Sequence, residues 1–186
     1  GSFFKNIREP DSFLALIKKT FELYPNLKNK LVVHFFGEIT ERFLKTFERH
    51  SDLKNNIQLH GLILREAVPN VMSQMNFLLN ISNRSDFQLP SKSVDYMASG
   101  KPIINIHSIE NDLFKEFFKE YSMILNLKIQ FSEISKTEVE DFVFFTEKMT
   151  GKYIGKNQIK EMTVRFETRN ISSKYLNLIL KERRGV

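Results

Sequence analysis

The sequence predicts an α/β domain: a parallel sheet of about six strands with helices on both faces and a helical C-terminal part. Three observations predict it. Short apolar runs alternate with longer stretches whose apolar residues recur at helical spacing. The short runs are near-continuous, as in Leu31-Val32-Val33-His34-Phe35-Phe36, which is the pattern of strands buried on both faces. Each run ends in a turn residue and a new helix start follows, which is the order of right-handed strand-helix-strand units. The chain has 186 residues, enough for a single domain with its own core.

The elements follow in order. Pro10 and Asp11 open a helix with Phe13, Leu14, Leu16, Ile17, Phe21 and Tyr24 broadly on one face, ended by Pro25 and Asn26. The strand Leu31 to Phe36 closes at Gly37. Thr40 caps a helix carrying Phe43, Leu44 and Phe47. Ile57 to His60 is a short strand before Gly61, and Pro69 opens a short helix with Val71, Met72 and Met75. Phe77 to Ile81 is a strand leading into polar residues from Ser82 to Asp86. Pro90 opens a helix through Ala98 that stops at Gly100. Pro102 to Ile106 is the next strand, Leu113, Phe114, Phe117 and Phe118 form a helical face, and Ser122 to Leu127 is a further strand. Ser135-Lys136-Thr137-Glu138 fits a capping box. Helices are expected about Asn157 to Glu167 and Ile171 to Glu182. The alternation calls for one more strand ahead of Pro10, where only nine residues stand, so that strand is expected to be short or clipped.

Composition narrows the chemistry. There is no cysteine, which excludes disulfides, thiolate catalysis and Cys-based zinc sites. No stretch is long and apolar enough to span a membrane, and the first residues carry no apolar signal region. The net charge is +6 and the pI about 9.4. A surface of that sign is either simply solvated or suits a polyanion: nucleic acid, an anionic membrane face or an anionic small ligand. Lys181 to Arg184 is the nearest approach to a basic cluster and also suits a helix C-terminus. A nucleic-acid reading lacks a recognition helix or an aromatic-basic platform. His34, His50, His60 and His107 have no helical metal-ligand spacing, and no metal site is expected. His34 lies within a strand and reads as structural, whereas His60 and His107 end strands where a ligand would bind.

In parallel α/β sheets ligands bind beyond the carboxyl ends of the strands. The segment Gln88-Leu89-Pro90-Ser91-Lys92-Ser93-Val94-Asp95-Tyr96-Met97-Ala98-Ser99-Gly100-Lys101-Pro102-Ile103-Ile104 starts at such an end. With Pro90 as first helical residue, the amides of Ser91, Lys92 and Ser93 are free to bind an anion, helped by the helix dipole. Lys92 adds a mobile positive charge and Asp95, one turn on, can accept from sugar hydroxyls. The same residues also suit a plain helix start, since proline and serine are common there and Asp95 fits an exposed first turn.

The segment resembles the donor-site motif of the retaining, family 4-like glycosyltransferases of GT-B fold. Pro90-Ser91-Lys92, Asp95-Tyr96-Met97-Ala98-Ser99-Gly100 and Lys101-Pro102-Ile103-Ile104 match in spacing, with Asp95 in place of glutamate. Leu59-His60-Gly61-Leu62-Ile63 resembles the family's strand-glycine loop, and Met75-Asn76-Phe77-Leu78-Leu79 its Ala-Asp-x-x-Leu strand. Gly1 to Arg8 more weakly resembles its first phosphate loop. The resemblance covers Gly1 to Ile106 and, more weakly, the chain to Leu127.

The resemblance implies a Rossmann-like domain, residues 1–186, that forms the C-terminal, donor-binding half of a two-domain enzyme. Ser91, Lys92 and Ser93 would hold the donor diphosphate, Asp95 the ribose, and Ile63 the base through its backbone. Gly37 and Gly61 would admit the donor closely, and Arg8 and Lys92 would neutralise the leaving diphosphate. The expected substrate is a nucleotide sugar, with no cofactor. The expected partners are an N-terminal acceptor domain and an anionic membrane surface, in the cytoplasm or at the inner membrane face, in surface glycan or polysaccharide synthesis. One position departs from the family: its sugar-contacting glutamate, eight residues before the ribose-binding acid, is here Phe87. That leaves room for another GT-B enzyme, such as an epimerase or phosphorylase, or for a non-catalytic nucleotide-binding module.

Overall fold

The computed structural model describes residues 3, 7–130, 133–167, 169–173 and 176. The order of elements is α1 (Asp11–Leu23), β1 (Val33–Phe36), α2 (Glu41–Arg49), β2 (Ile57–Gly61), α3 (Val68–Gln74), β3 (Leu78–Ile81), α4 (Ser93–Ser99), β4 (Ile103–His107), α5 (Leu113–Phe117), β5 (Ile124–Lys128), α6 (Lys136–Met149) and α7 (Lys156–Thr163). The alternation read from the sequence is therefore present.

All strand pairs are parallel, but they form two sheets, β1-β2 and β3-β4-β5. This corrects the expectation of about six strands in one sheet. Among the described residues no strand joins β1 to β3. The strand expected ahead of Pro10 has nine residues to draw on, and residues 1, 2 and 4–6 lie outside the described ones. Gly1 and part of its expected phosphate loop, Gly1 to Arg8, fall among them.

The three-stranded sheet carries a core on each face. On one side Leu14, Leu16 and Ile17 of α1 and Val139, Phe142 and Val143 of α6 pack with Ile104, Ile106 and Leu127. On the other, Met97, Phe114, Phe118 and Tyr121 pack with Leu78 and Ile103. Neighbouring Ile103 and Ile104 serve opposite cores because side chains alternate along a strand. Helices on both faces follow from that alternation.

Local signals set the boundaries. The Ser135 hydroxyl accepts from the Glu138 amide at 3.2 Å, and the Glu138 carboxylate accepts from the Ser135 amide at 2.7 Å, which is the expected capping box. Thr40 caps α2 by accepting from the Phe43 amide. Gly100 ends α4 at φ 65°, a left-handed conformation that costs a side-chain-bearing residue. A Cβ there would lie 2.5 Å from Ile159 Cδ1 and 3.0 Å from the Ile154 carbonyl oxygen. The Ile154 amide donates to the Gly100 carbonyl at 2.8 Å, so the start of the C-terminal helical region is fastened to the end of α4.

The expected helix from Asn157 to Glu167 is α7 followed by a 3₁₀ turn, Val164–Phe166. Residues 169–173 are helical, while Tyr175, Leu178, Ile179 and Lys181 to Arg184 lie outside the described residues. Among the described residues no helix is long and apolar enough to cross a membrane.

Candidate functional site

A cavity of about 840 Å³ opens between the two sheets. Every residue of β1 lines it, as do Leu78, Leu79 and Ile81 of β3. Consecutive strand residues point to opposite faces, so walls that include neighbours in sequence are strand edges. Phe13, Ile17 and Phe142 close one side and Met72, Met75 and Tyr96 the other. Arg8, Gly37, Ile63, Lys92 and Asp95 line the same cavity. Gly37 follows β1, Ile63 follows β2, and Lys92 and Asp95 come after β3. The structure thus gathers most of the sequence-nominated residues at the carboxyl ends of three strands.

The two cations stand out electrostatically. Arg8 Nε is buried without a partner among the described residues, and burial lowers the pKa of its guanidinium. The adjacent carboxylate does not serve it: Glu9 pairs with Arg42 at 2.6 Å and reaches Arg84 at 3.6 Å. Part of Lys92 is exposed, but its ammonium is the shielded end, 5.0 Å from the centre of the Tyr96 ring. Burial first, and the Arg8 charge second, pull the Lys92 pKa from 10.5 to about 7. The phenol of Tyr96 is pushed up to about 12 by burial and donates to the Leu79 carbonyl at 3.0 Å. Two cations that repel each other across a cavity, with no carboxylate paired to either among the described residues, make an anion-seeking site.

The helix start differs from expectation. The α4 helix begins at Ser93, not at Pro90, because the Pro90 carbonyl accepts both the Ser93 amide at 3.0 Å and the Ser93 hydroxyl at 2.6 Å. Ser93 is buried and its amide is satisfied, so it offers nothing to a ligand. The amides of Ser91 and Lys92 have no partner among the described residues. Ser91 is exposed, as is Asp95. Gly61, at φ 72°, makes the turn after β2 and its carbonyl accepts from the Gly37 amide at 2.8 Å. It fixes the two loops relative to each other and does not itself line the cavity. Phe87 is 82% exposed and does not line it either.

Two features escaped sequence reasoning. His34 Nδ1 and His60 Nε2 lie 2.9 Å apart across β1 and β2, with Phe36 stacked on His60 at 4.3 Å. A test of helical spacing cannot find a pair 26 residues apart; strand register can. His107 is buried with its Nδ1 2.8 Å from the Ile109 carbonyl, which gives it a structural partner. Asn80, Asn105 and Asn126 share one register position across β3, β4 and β5. The Asn80 amide donates to Asn105 Oδ1 at 2.8 Å, and the Asn105 amide donates to Asn126 Oδ1 at 2.9 Å and Asp112 Oδ1 at 3.0 Å. Among the described residues no three His, Cys, Asp or Glu side chains cluster as a metal site would require.

No protein-family model and no curated protein matches this sequence. Nine chains of solved structures match the fold. One belongs to the crystal structure of the GtfA/B complex, with a TM-score of 0.66 and 16% identity. The chain shares its fold with part of that neighbour. At that identity the likeness is one of fold alone. The match covers 100% of this chain but 35% of that one, so the chain spans about a third of its neighbour's length. The cavity runs along the facing edges of β1 and β3, and Gly37, Ile63, Lys92 and Asp95 line it from beyond the carboxyl ends, the side on which a parallel α/β sheet binds its ligand.

Proposed function

We propose that the chain is the nucleotide-sugar-binding domain of a glycosyltransferase, formed by residues 1–186 and completed by a separate acceptor-binding domain. The observation that carries this reading is the pair Arg8 and Lys92, unneutralised by any carboxylate among the described residues and lining one cavity at the strand ends. Beside them lie the open amides of Ser91 and Lys92. A pyrophosphate answers all four groups.

Sugar transfer from a nucleoside diphosphate is limited by departure of the anionic diphosphate. Preorganised donors aimed at the developing charge stabilise that step most. The planar fork of Arg8 binds phosphate oxygens in pairs, and Lys92 acts as a point charge. In this reading Asp95 accepts from a ribose hydroxyl and the backbone of Ile63 meets the base; both residues line the cavity. Gly37, at φ 142° and without a side chain, leaves room for the donor. Ser93 supports the loop by its bond to Pro90 rather than by touching the ligand. The reading includes no metal and no other cofactor. Leu62 and Leu64 after β2 and Phe87 after β3 are 80%, 77% and 82% exposed, which favours a second domain closing over this edge. The family 4-like assignment, a retaining outcome, a cytoplasmic location, contact with an anionic membrane face and a role in surface polysaccharide synthesis belong to the same proposal. Their support is the sequence motif and, for the membrane, the +6 charge.

Calorimetric titration with UDP, GDP, ADP and UDP-sugars, without and with magnesium, tests it. One diphosphate binds without needing the metal, and Lys92→Ala or Asp95→Ala each weakens it about tenfold, or ~1.4 kcal/mol. No binding by the full-length protein at millimolar ligand would refute the reading. The exposed Phe87, where the family has a sugar-contacting acid, favours one alternative: a module that binds the nucleotide and transfers nothing. Equal affinity for UDP and UDP-sugars, with no product from the full-length protein, selects that alternative.

A further inference from the structure

The structure assigns a transition-metal site to the paired rings of His34 and His60, with an imidazole-seeking ion of the copper(II) class as its ligand. The pair lies at an exposed position where β1 meets β2, and water fills the remaining positions of the ion. The inference stands apart from nucleotide binding.

The first observation is a bulge. The two strands pair in register from Val33 with Ile57 to Phe35 with Leu59, and then Phe36 pairs with Gly61. His60 is the residue left over. An extra residue bends its strand and re-aims a side chain, and such bulges are rare between parallel strands. Gln58 is the register partner of His34, yet the ring that reaches His34 is that of His60.

The second is the placement of the nitrogens. His34 Nδ1 and His60 Nε2 lie 2.9 Å apart, while the ring centres are 5.2 Å apart and the planes 21° from parallel. The two nitrogens are therefore the facing corners of the rings, and one proton lies between them. A neutral imidazole carries its proton on either nitrogen. His34 Nε2 and His60 Nδ1 have no partner among the described residues, so nothing holds the tautomer. When the shared proton moves to the outer nitrogen of its own ring, two lone pairs are left at the gap and both rings stay neutral.

The same distance selects the ion. At a metal–imidazole bond of about 2.0 Å, nitrogens 2.9 Å apart subtend about 90° at the metal. That is the angle between neighbouring ligands of a tetragonal ion, copper(II) or nickel(II), and is narrower than the tetrahedral angle of zinc. Between the two, copper binds nitrogen ligands more tightly.

The third is the support of the ring. Phe36 stacks on His60 with centres 4.3 Å apart and planes within 9°, which fixes the plane of the ligand from one side. In other metal sites a hydrogen-bonded outer partner has that task. The remaining histidines lack such a setting: His107 is buried against the Ile109 carbonyl, and His50 ends α2 without a second imidazole beside it among the described residues. A closed zinc site takes three or four protein ligands. Here two histidines stand without a carboxylate among the described residues, so the ion remains open to water and exchanges with solution.

The test is calorimetric titration of the chain with copper(II), nickel(II), zinc(II) and magnesium, followed by electron paramagnetic resonance of the copper form. One copper binds per chain, and its tetragonal spectrum is split by two imidazole nitrogens. Nickel and zinc bind more weakly, and magnesium, which prefers oxygen ligands, does not bind. His34→Ala and His60→Ala each weaken copper binding at least about tenfold, the smallest loss usual for an outer partner of a ligand. His60→Gln, at an exposed position, has the same effect, and circular dichroism checks that each variant is folded. His50→Ala leaves the affinity unchanged. A spectrum with fewer than two imidazole nitrogens overturns the proposal. So does equal affinity in the double variant His34→Ala/His60→Ala, which would place the ion on the amino terminus, His50 or His107. Nucleotide binding, measured without transition ions, enters neither result, so failure of one reading leaves the other standing.

Discussion

At the scale of the residue, Lys92 carries the strongest electrostatic signature in the cavity. Its pKa of about 7 lies far below the ordinary 10.5, through burial and the Arg8 charge. Between those two values the unfolded chain holds a proton that the folded chain has lost, so Lys92 makes stability rise with pH across that window. Binding has the opposite sign. A diphosphate favours the ammonium, so above pH 7 a proton must be taken up on binding, and affinity falls by up to about tenfold per pH unit. Lys92→Met removes both slopes, which urea unfolding and calorimetry over pH 6 to 10 measure. Arg8→Ala weakens diphosphate binding by at least about tenfold while relieving Lys92, whose pKa rises. That Lys92 and Asp95 stand beside the cavity was legible in sequence, because a loop between a strand end and a helix start leaves a local trace. Tyr96 and Asn80 were not: their partners, the Leu79 carbonyl and Asn105, are set by register rather than by neighbours in the chain.

At the scale of the element, boundaries follow local hydrogen bonding where a side chain supplies it. Ser135 and Thr40 were readable as caps for that reason. Ser135→Ala is expected to cost about 1 kcal/mol in urea unfolding, the usual loss for an N-cap. The start of α4 was misread by three residues because Pro90 closes a turn onto Ser93 before the helix begins, and a favourable first residue does not reveal a competing turn. The end of α4 is more demanding. Gly100→Ala meets both a left-handed φ and a contact with Ile159, and is expected to destabilise by about 1–3 kcal/mol. A smaller side chain at Ile159 recovers part of that loss if the clash is its cause, and none if the φ alone is responsible.

At the scale of the whole molecule, alternation of strand and helix was legible because it depends on periodicity alone. The division into two sheets was not, since it depends on what stands between β1 and β3 rather than on any property of either. The core is shared by α1, α6 and the sheet, so Phe142→Ala, which opens a cavity at a residue 1% exposed, is expected to cost about 3–5 kcal/mol in denaturant unfolding. The basic surface makes a separate prediction. Affinity for mixed RNA or DNA should be weak, whereas a tight affinity that falls steeply with salt would revive a nucleic-acid reading.

The fastening of Ile154 and Ile159 to the end of α4 has a mechanical consequence. With seven residues at 1.5 Å of rise, α4 is a rod about 10 Å long. One end is clamped by the C-terminal helices and the other carries Lys92. A small tilt at the clamp is therefore a displacement of the ammonium over the cavity. If the proposed nucleotide site is right, repacking Ile159, one rod-length from Lys92, should change nucleotide affinity without altering any group proposed to touch the nucleotide.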